Sequence, residues 1–585
     1  AMTFSLVVAL IITPYLAYRL IAGGNDEEAE GDESDYRLED TVIYRWYAAT
    51  IEPMLNSSWR RWSFIGVTTL LLLGTVSLFY FRVVTVKMLP YDDKDEFQVV
   101  VDMPEGTTLE RTDAVLREMS AYLARQPEVT DVQTYAGDAA PVNLNGLVRH
   151  YDMRSAPHQG DIQVNLISAD GRSEQSHAIA KRMRDPLTDI GMRHDARVKV
   201  AEVPPGPPVR ATLVAEIYGP DMDTQIALAD SVRQVFEDTE GVVDVDWRVE
   251  NDQTKYTFDV NKEKAMRAGV SAARISETMR LAVGGQDVTT MHLPQERSPV
   301  GVHVKLGQKD RSSLADLQNI RVQSQTGAMI PVADLVTIEE RVRDKSIDRK
   351  NQRRVVYVMA DVAGDIESPV YAMLDMEERL KDIKAPAGYD FSQLYTDQPF
   401  ATDGYSLKWD GEWRITYKVF RDLGIAFAVV LLIIYILIVG WFQDLLVPLV
   451  MMVAIPLSLI GIVLGHWMLG AFFTATSMIG FIALAGIMVR NSVLLIDFIN
   501  LRLDDDVPLR QAVIEAGAVR TRPILLTAGT VVIGAVVILF DPVFQGLAIS
   551  LMGGAIASTA LTLLIVPLIY FMLRNELADT ARVAE

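Results

Sequence analysis

The chain has 585 residues, of which half are hydrophobic, with a mean hydropathy of +0.17 and a formal net charge of −21. This acidic balance argues against a nucleic-acid partner, because phosphates would be repelled, and the lack of cysteine excludes disulfides and thiolate metal sites. High hydropathy together with 22% charged residues predicts apolar membrane segments that alternate with acidic, water-facing domains.

The chain opens on an apolar span, Phe4 to Leu20, with almost nothing before it. No charged segment precedes this span and no small-residue cleavage site ends it, so it does not resemble a cleaved signal peptide. We therefore expect residues 1–21 to be a transmembrane span of a longer protein from which this sequence is cut.

Seven segments are apolar over the roughly 20 residues that a helix needs to cross a bilayer. Between the first two, the acidic run Asp26–Asp40 predicts a solvated linker, and Val42–Leu55 predicts a short amphipathic helix on the membrane surface. The predicted spans are Phe4–Leu20, Phe64–Val83, Leu423–Phe442, Leu446–Leu469, Thr474–Leu501, Pro523–Phe540 and Gly546–Leu573.

Arginines between the fifth and sixth spans predict the orientation of the chain. The segment from Arg502 to Arg522 carries four arginines, and short loops rich in arginine lie in the cytoplasm. Alternation then places the linker and the carboxy terminus in the cytoplasm. It places the polar region from Val84 to about Arg421 outside, in a periplasm.

This outer region contains the same β-α-β pattern twice, about 115 residues apart. Such a repeat predicts a duplicated ferredoxin-like domain. In the first unit, Thr107 and Glu110 form a capping-box pattern at the start of the helix. The predicted strands and helices are Phe97–Asp102, a helix from Thr107 to about Arg125, and Val129–Tyr135, followed by Thr212–Tyr218, Asp223–Asp238 and Val242–Trp247.

A proline-rich segment and an insertion divide the outer region. Val203-Pro-Pro-Gly-Pro-Pro208 must be extended and stiff, which predicts a hinge or domain boundary. Between residues 256 and 353, a helix near Glu263 and several strand-like runs interrupt the second unit, whose last strand resumes at Arg354. These patterns predict an inserted module.

Arg490 and Asp497 are charged residues inside the fifth span, where a charge costs roughly 2.5 to 3.5 kcal/mol. They lie seven residues apart and therefore on the same helix face. Arg490 is either a partner for carboxylates that take up protons, or it is statically paired with Asp497, or its side chain reaches the membrane surface. The surface is about 15 Å away, beyond the side chain's reach, which favours the first interpretation.

Further polar and small residues occur in the spans. Arg520 and Thr527 open the sixth span, where arginine mostly sets topology and threonine can bond its own backbone. Small residues predict close helix packing in the fifth and last spans, at Gly480, Ala483, Ala485, Gly486, Gly553, Gly554, Ala555, Ala557 and Ser558.

Other chemistries have little support. The seven histidines show no metal-ligand spacing, and no GxxxxGK[ST] loop is present, so we expect no metal, no cofactor and no nucleotide hydrolysis. Methionines are usually core or gap-filling residues, which leaves a soft-metal site as a minor alternative. Its candidate ligands are Met103, Met153, Met183 and Met192.

The chain resembles the resistance-nodulation-division superfamily of efflux permeases, in its hydrophobe/amphiphile and heavy-metal branches, along essentially its whole length. The most specific segments are Met488-Val-Arg-Asn-Ser-Val-Leu-Leu-Ile-Asp-Phe498 and Arg520-Thr-Arg-Pro-Ile-Leu-Leu-Thr527. Weaker matches are Lys87-Met-Leu-Pro90, Asp102-Met-Pro-Glu-Gly-Thr-Thr108, Ala268-Gly-Val-Ser271 and Met329-Ile-Pro-Val-Ala-Asp-Leu335.

The resemblance implies the carboxy-terminal half of a twelve-span permease. The implied fold is a membrane α-helical bundle (the end of span six plus spans seven to twelve) with an α+β periplasmic region of ferredoxin-like porter subdomains and an inserted docking subdomain. The implied domains are part of span six (1–21), a cytoplasmic linker with a surface helix (22–61), a span (62–86), the first porter subdomain (87–205), the second porter subdomain (206–255 and 354–400), the docking subdomain (256–353), a connection to the membrane (401–422), five spans (423–573) and a cytoplasmic tail (574–585).

The resemblance also implies roles for single residues. Arg490 takes the position of the cation in the family's proton relay, where many members carry lysine, and the paired relay aspartates lie in the fourth span, outside this chain. The loop 137–146 corresponds to a mobile loop of the substrate cleft, but it lacks the phenylalanine of drug-binding relatives. The other implied relay residues are Asn491, Asp497, Arg520 and Thr527, and the implied cleft residues are Asn143, Leu144 and Asn145.

The function implied is secondary active transport, not enzyme catalysis. The chain would be half of a proton/substrate antiporter that exports drugs or other small toxic compounds from a Gram-negative inner membrane, with the proton as coupling ion. Implied partners are its own amino-terminal half, two further copies in a homotrimer, a periplasmic adaptor, an outer-membrane channel and membrane lipid. A heavy-metal cation exporter and a membrane-anchored secretion or assembly factor are the alternatives, and the inserted module disfavours the latter.

Overall fold

The computed structural model describes residues 7–21, 38–203, 206, 209–297, 299–364, 366–386 and 390–584. The predicted acidic linker and the proline-rich hinge lie largely outside these residues. After a π-helical turn (Val8–Ile12), the helices are α1 (Thr13–Ile21), α2 (Val42–Asn56), α3 (Ser58–Tyr80), α4 (Leu109–Leu123), α5 (Leu144–Arg149), α6 (Ser176–Met192), α7 (Met222–Glu237), α8 (Lys262–Arg267), α9 (Ala272–Val283), α10 (Leu314–Gln318), α11 (Val332–Leu335), α12 (Pro369–Lys381), α13 (Glu412–Phe442), α14 (Val447–Met452), α15 (Ala454–Leu469), α16 (Ala475–Asp504), α17 (Leu509–Val536) and α18 (Gln545–Ala584).

Within the described residues, strands occur only between α3 and α13, the helices of the second and third predicted spans. They are β1 (Glu96–Asp102), β2 (Val129–Ala136), β3 (Gln159–Leu166), β4 (Arg197–Ala201), β5 (Leu213–Tyr218), β6 (Val242–Trp247), β7 (Thr254–Val260), β8 (Gln286–Met291), β9 (Val300–Val304), β10 (Arg321–Gln323), β11 (Met329–Pro331), β12 (Val336–Val342), β13 (Arg349–Lys350), β14 (Arg353–Arg354), β15 (Val356–Val362), β16 (Phe391–Leu394) and β17 (Tyr405–Gly411).

Six described segments are long and apolar enough to cross a membrane, and they include every predicted span but the first. For the first, the structure has a shorter apolar helix, Val8–Arg19. The segment from Arg502 to Arg522 is mostly helical instead of a loop, because α17 already begins at Leu509 and buries Ala512 and Ala516 in the bundle. Its placement in the cytoplasm stays a prediction. The six segments are Ser58–Tyr80, Glu412–Phe442, Val447–Leu469, Ala475–Asp504, Leu509–Phe540 and Gln545–Asn575.

Glycines allow the last helix to approach its neighbours closely. A Cβ atom on Gly553 of α18 would lie 2.4 Å from the carbonyl oxygen of Gly461 on α15. One on Gly554 would lie 2.2 Å from a side-chain atom of α16, and one on Gly480 of α16 would lie 2.8 Å from a side-chain atom of α18. Close packing at these small residues is therefore confirmed.

Helix α2, which the sequence predicts as an amphipathic surface helix, packs its apolar face against the bundle. Its residues Tyr47, Ile51 and Leu55 are buried, and the Tyr47 hydroxyl donates a hydrogen bond of 2.8 Å to the carbonyl oxygen of Leu563. Gly517 makes room for this tyrosine, because a Cβ atom there would lie 1.9 Å from the ring. The predicted helix is present, but its apolar face contacts α17 and α18.

The first unit, residues 87–203, contains a four-stranded antiparallel sheet in the order β2-β3-β1-β4. Helices α4 and α6 share one core with it, in which Val99 and Val101 of β1 are buried. This β-α-β-β-α-β order is that of a ferredoxin-like fold. The predicted capping box is wrong, since Thr108 is the N-cap of α4 and the Thr107 hydroxyl donates instead to the Pro104 carbonyl at 2.6 Å.

The second unit, residues 209–255 and 354–411, contains a five-stranded sheet in the order β16-β17-β5-β15-β6. Its core includes Trp409 of β17, which stacks on Phe236 of α7 at 5.9 Å. The predicted end of this unit at residue 400 is wrong, because β17 pairs with the central strand β5. Residues 401–422 are therefore not a simple connection: the sheet ends at Gly411 and α13 begins at Glu412.

The residues between β6 and β15 form a smaller module. Strand β7 pairs with β12, β10 pairs with β11, and β8 and β9 form a separate hairpin. A small core holds the module together, with Ile275, Val322, Val332 and Leu335 buried. The insertion therefore has its own core, apart from the two sheets.

Candidate functional site

Helix α16 is open along one stripe and buried elsewhere. The exposed residues include Ala483, Gly486, Arg490, Leu494 and Asp497, and this spacing of three or four residues places them on one helix face. Close packing inside the bundle is wrong for Ala483 and Gly486, and a Cβ atom on Gly486 would meet nothing within 4 Å. Small residues on an open face leave room for another helix to approach.

Arg490 has no hydrogen bond, ion pair or ring contact with any described residue, and neither does Asp497. The static pair of these two residues is therefore absent. Seven residues of helix separate them by about 10 Å along the axis. An unpaired guanidinium in the middle of an apolar span is unfavourable by itself, so this position needs a partner from outside the described residues.

The remaining predicted relay residues have different surroundings. Asn491 is buried in the bundle, and the Arg520 guanidinium lies 5.1 Å over the ring of Phe498 on α16. The Thr527 hydroxyl donates to the Pro523 carbonyl at 2.9 Å, which is the backbone bond that the sequence left open. The structure therefore brings Arg520 to α16 but gives Thr527 a local role.

The two sheet units meet along a row of ion pairs with a fixed polarity. In every ion pair between their described residues, the first unit supplies the cation and the second unit supplies the carboxylate. The pairs are Lys87, His177 and Lys181 with Glu367, Arg149 with Asp361, Arg184 with Asp244, and Arg197 and Lys199 with Asp246.

The pair of Arg149 and Asp361 lies at the centre of this contact. Their closest atoms are 2.6 Å apart, and the side chains are 6% and 9% exposed. Asp361 also accepts hydrogen bonds from the Thr212 amide at 3.0 Å and hydroxyl at 2.7 Å. Burial alone would raise the pKa of Asp361, but Arg149 and Thr212 outweigh it and lower this pKa to about 2. Removing either partner would leave an uncompensated buried charge.

Glu367 joins the two units to the membrane bundle. It lies 2.7 Å from Lys181, 3.0 Å from His177 and 3.5 Å from Lys87. Lys87 in turn donates its backbone N–H to the carbonyl oxygen of Phe473, in the turn between α15 and α16, at 3.1 Å. One carboxylate thus connects the amino-terminal end of α16 with the contact between the units.

Charge contacts set the protonation of this cluster. Burial would lower the pKa of His177, but Glu202 and Glu367 outweigh it and raise this pKa to about 9. Nδ1 bonds Glu202 at 2.8 Å, whereas Nε2 faces Glu367 at an angle too oblique for a hydrogen bond. Burial would raise the pKa of Glu367, but His177, Lys181 and Lys87 lower it to about 2.

A cavity of about 420 Å³ lies between the units, beside the Arg149–Asp361 pair. Charged side chains of both units and of the inserted module line it, and Tyr151 and Trp247 are its aromatic residues. The arrangement is a polar cleft between two units that ion pairs bridge.

The predicted methionines do not come together around this cleft. Met103 lines it, but Met183 is buried in the core of the first unit, and Met153 and Met192 are exposed. No group of three or more histidine, aspartate or glutamate side chains in the described residues is arranged to hold a metal ion.

The predicted cleft residues also lie elsewhere. Asn143 is the N-cap of α5, where its Oδ1 accepts the Gly146 N–H at 2.7 Å, and neither it nor Leu144 lines the cavity. The side chain of Asn145 lies outside the described part. Arg149, at the end of the same short helix, lines the cavity instead. The Asn-x-x-Gly pattern of 143–146 indicates the start of a helix. This signal could have led to the prediction that Arg149, at the end of that helix, lines the cleft.

The sequence profile of the AcrB/AcrD/AcrF family matches residues 1–574. The chain belongs to the AcrB/AcrD/AcrF family. The predicted resemblance to the resistance-nodulation-division superfamily of efflux permeases, for which the segments around Arg490 and Arg520 are the most specific, is confirmed.

Named relatives of this AcrB/AcrD/AcrF protein have different roles. The swarming motility protein SwrC of Bacillus subtilis is 24% identical over 590 residues, which cover 98% of the chain and 51% of SwrC. The cobalt-zinc-cadmium resistance protein CzcA of Cupriavidus metallidurans is 24% identical over 92% of the chain and 50% of CzcA. The chain thus spans about half the length of these relatives.

Solved structures of a heavy metal efflux pump have the same fold. One crystal form matches with a TM-score of 0.73 over 92% of this chain and 52% of the pump, at 22% identity. At this identity the match establishes the fold of the AcrB/AcrD/AcrF protein and not its substrate. The fold positions the open stripe of α16 and the charged cleft within one chain.

Proposed function

We propose that this chain is the carboxy-terminal half of a proton-driven efflux permease of a bacterial inner membrane, a secondary active transporter that exchanges protons for a small substrate. The observation that carries the proposal is Arg490, an unpaired guanidinium on the open stripe of an otherwise buried apolar helix. Such a charge inside a membrane marks an ion or proton pathway more often than a structural contact.

Arginine stays protonated at every accessible pH, so the group that gains and loses the proton must be a carboxylate close to Arg490. The open stripe, with Ala483 and Gly486 beside the arginine, suits the close approach of another helix. That helix would come from the half of the relatives' length that this chain does not cover. An ionised carboxylate there attracts Arg490, and protonation of that carboxylate releases it.

The contact around Glu367 supports a mechanical link between this site and the cleft. A shift of α16 moves the Phe473 turn, which holds the backbone of Lys87. Lys87 and Glu367 then carry the shift to both sheet units. Proton exchange in the membrane would thereby open and close the polar cleft, which we propose as the substrate path.

Permeases of this family generally act as trimers with a periplasmic adaptor and an outer-membrane channel, and we propose the same assembly for this chain. The inserted module would then be the docking surface, and the two sheet units would lie in a Gram-negative periplasm. Membrane lipid would surround the exposed faces of α3 and α13.

Arg490→Ala in the complete pump tests the proton pathway. We expect substrate export and substrate-dependent proton flux, followed with a pH-sensitive dye in membrane vesicles, to fall to background while assembly is unchanged. Arg490→Lys should retain part of both activities because it keeps a charge. The matched control is Arg510→Ala, which removes an exposed arginine paired with Glu52 on the same half. Wild-type export by Arg490→Ala would refute the assignment.

A second candidate function is the export of heavy-metal cations. It is favoured because CzcA is a cobalt-zinc-cadmium resistance protein and the matching solved structure is that of a heavy metal efflux pump. Met103 and Met359 both line the cavity, although the described residues hold no group of three or more histidine, aspartate or glutamate side chains that could bind a metal ion. Growth of a pump-deleted host with the restored gene in cobalt, zinc or cadmium, compared with organic biocides, separates the two candidates.

A further inference from the structure

The charged groups that line the cavity are not equally satisfied. Each of its seven carboxylates has a protein partner, either a cation or a hydrogen-bond donor. Glu105, for example, accepts the side-chain amide of Asn251 at 2.5 Å, and Glu250 accepts the Ser346 hydroxyl at 2.9 Å. The seven are Asp102, Glu105, Asp244, Asp246, Glu250, Asp348 and Asp361.

Arg210 differs from these groups. It lines the same cavity and has no carboxylate within 4 Å among the described residues; Arg343, the other lining cation without one, donates instead to the side-chain oxygen of Gln253 at 3.3 Å. Its guanidinium carbon lies 4.7 Å over the ring of Tyr357, and its side chain donates no hydrogen bond to any described residue. Nη1 is buried, but the side chain as a whole is only half-buried and lines the cavity, so its remaining N–H groups can donate to an acceptor there.

We propose that this cavity binds a small molecule that carries a carboxylate or sulfonate group, and that Arg210 is the residue that anchors this anionic group. A guanidinium offers two parallel N–H donors to such a group, and stacking on Tyr357 holds its plane in place. A volume of about 420 Å³ is in the range of small-molecule sites. The proposal rests on the proposed function, in which the cleft is the substrate path.

The same observations disfavour the other substrate classes for this cavity. A metal cation would meet carboxylates that are already engaged and an arginine that repels it. An uncharged hydrophobic compound would meet a lining with fourteen charged side chains other than histidine and two aromatic ones, Tyr151 and Trp247. An anionic group accepts from Arg210 and balances its charge without breaking an existing ion pair, which an uncharged acceptor does not do.

Two fluorescent probes with the same rings test the proposal on the full chain in lipid nanodiscs. 8-Anilinonaphthalene-1-sulfonate carries the anionic group, and N-phenyl-1-naphthylamine lacks it. After subtraction of empty nanodiscs, we expect the sulfonate to bind at least ten times more tightly than the uncharged probe. We expect Arg210→Gln to weaken sulfonate binding by about 10- to 100-fold, as for lost hydrogen bonds to a charged group, and Arg210→Lys by less.

Arg248→Gln is the matched control, because Arg248 lines the same cavity but is paired with Asp348 at 3.7 Å. It removes the same single charge, and we expect it to change sulfonate binding by less than about 2-fold. Equal losses in Arg210→Gln and Arg248→Gln would mean that only net charge matters and would overturn the proposal. Equal binding of both probes, or wild-type binding no tighter than that of a folded Arg210→Gln variant, would also overturn it. No proton gradient is used, so this result is independent of the Arg490 test.

Discussion

Replacing Asp361 with asparagine removes the carboxylate at the centre of the contact between the two sheet units. Arg149 belongs to the first unit, whereas Thr212 belongs to the second unit together with Asp361. Opening of the cleft therefore separates Asp361 from Arg149 alone. We expect Asp361→Asn to shift the equilibrium of the cleft toward the open arrangement.

The size of this shift follows from the protonation of Asp361. Its pKa falls from 3.8 to about 2, which corresponds to about 2 kcal/mol of attraction to the charges around it. Arg149 lowers this pKa more than Thr212 does, and it is as deeply buried as its partner, so solvent screening is small. Loss of about 2 kcal/mol would raise the ratio of open to closed molecules by about 30-fold.

Pulsed electron paramagnetic resonance measures the distance between two spin labels and so reports the populations of the open and closed arrangements of the cleft. The chain has no cysteine, so Asp131→Cys on the first unit and Asp238→Cys on the second unit, both at exposed positions, give two clean sites for spin labels. Asp361→Asn should increase the long-distance population. Arg149→Met should do the same, and the double variant should show less than the sum of the two effects.

The control is Asp375→Asn, which breaks a surface pair with Arg82 in which the side chains are 48% and 37% exposed. Exposed pairs contribute about 0 to 1 kcal/mol, so this variant should leave the distances nearly unchanged. If Asp361→Asn behaves like Asp375→Asn, or if the Arg149 and Asp361 variants are fully additive, the ion pair does not hold the cleft closed.

Two further predictions concern stability. Gly517→Ala should lower the melting temperature in detergent, because its Cβ atom would lie 1.9 Å from the Tyr47 ring and overpacking costs about 1 to 3 kcal/mol. In a Tyr47→Ala background the same change should have little further effect, because the ring is gone, and strict additivity of the two losses would contradict the contact. The pKa of His177 rises to about 9, so its protonated form stabilises the fold fully below about pH 6.5 and loses this effect as the pH rises through 9. The melting temperature of His177→Gln should therefore lie well below that of the wild type at pH 5.5 and close to it at pH 9.5. A difference in melting temperature that does not change with pH would refute the charge contact with Glu367.

The membrane spans could be predicted from the sequence because their signal is local. A window of about 20 apolar residues has few other structures to adopt, and the alternation of strands in the two sheet units is equally short in range. The features that the sequence did not predict depend on contacts between residues that are far apart in sequence. The α2 helix docks on the bundle because Gly517 lies some 470 residues beyond Tyr47 in sequence, and no pattern within α2 shows this notch.

Some residues of the candidate site could likewise be predicted from the sequence and others could not. Arg490 could be predicted, since a charge within an apolar run is visible in the sequence alone. The sequence could not predict three other residues, because the role of each depends on side chains of another helix or strand. These residues are Arg149, Glu367 and Arg210. Arg149 and Asp361 are 212 positions apart in sequence. The predicted loop came close to Arg149 but stopped at the turn before it.

The opposite charges of the two sheet units also bear on how the chain assembles. Two units that share an arrangement of four strands are candidates for mispairing during folding, because one copy can stack on the same unit of a neighbouring chain. In such a stack the cations that form the ion pairs would meet cations, and the paired carboxylates would meet carboxylates. The ion pairs form only between the first unit and the second, so this charge pattern disfavours homotypic stacking.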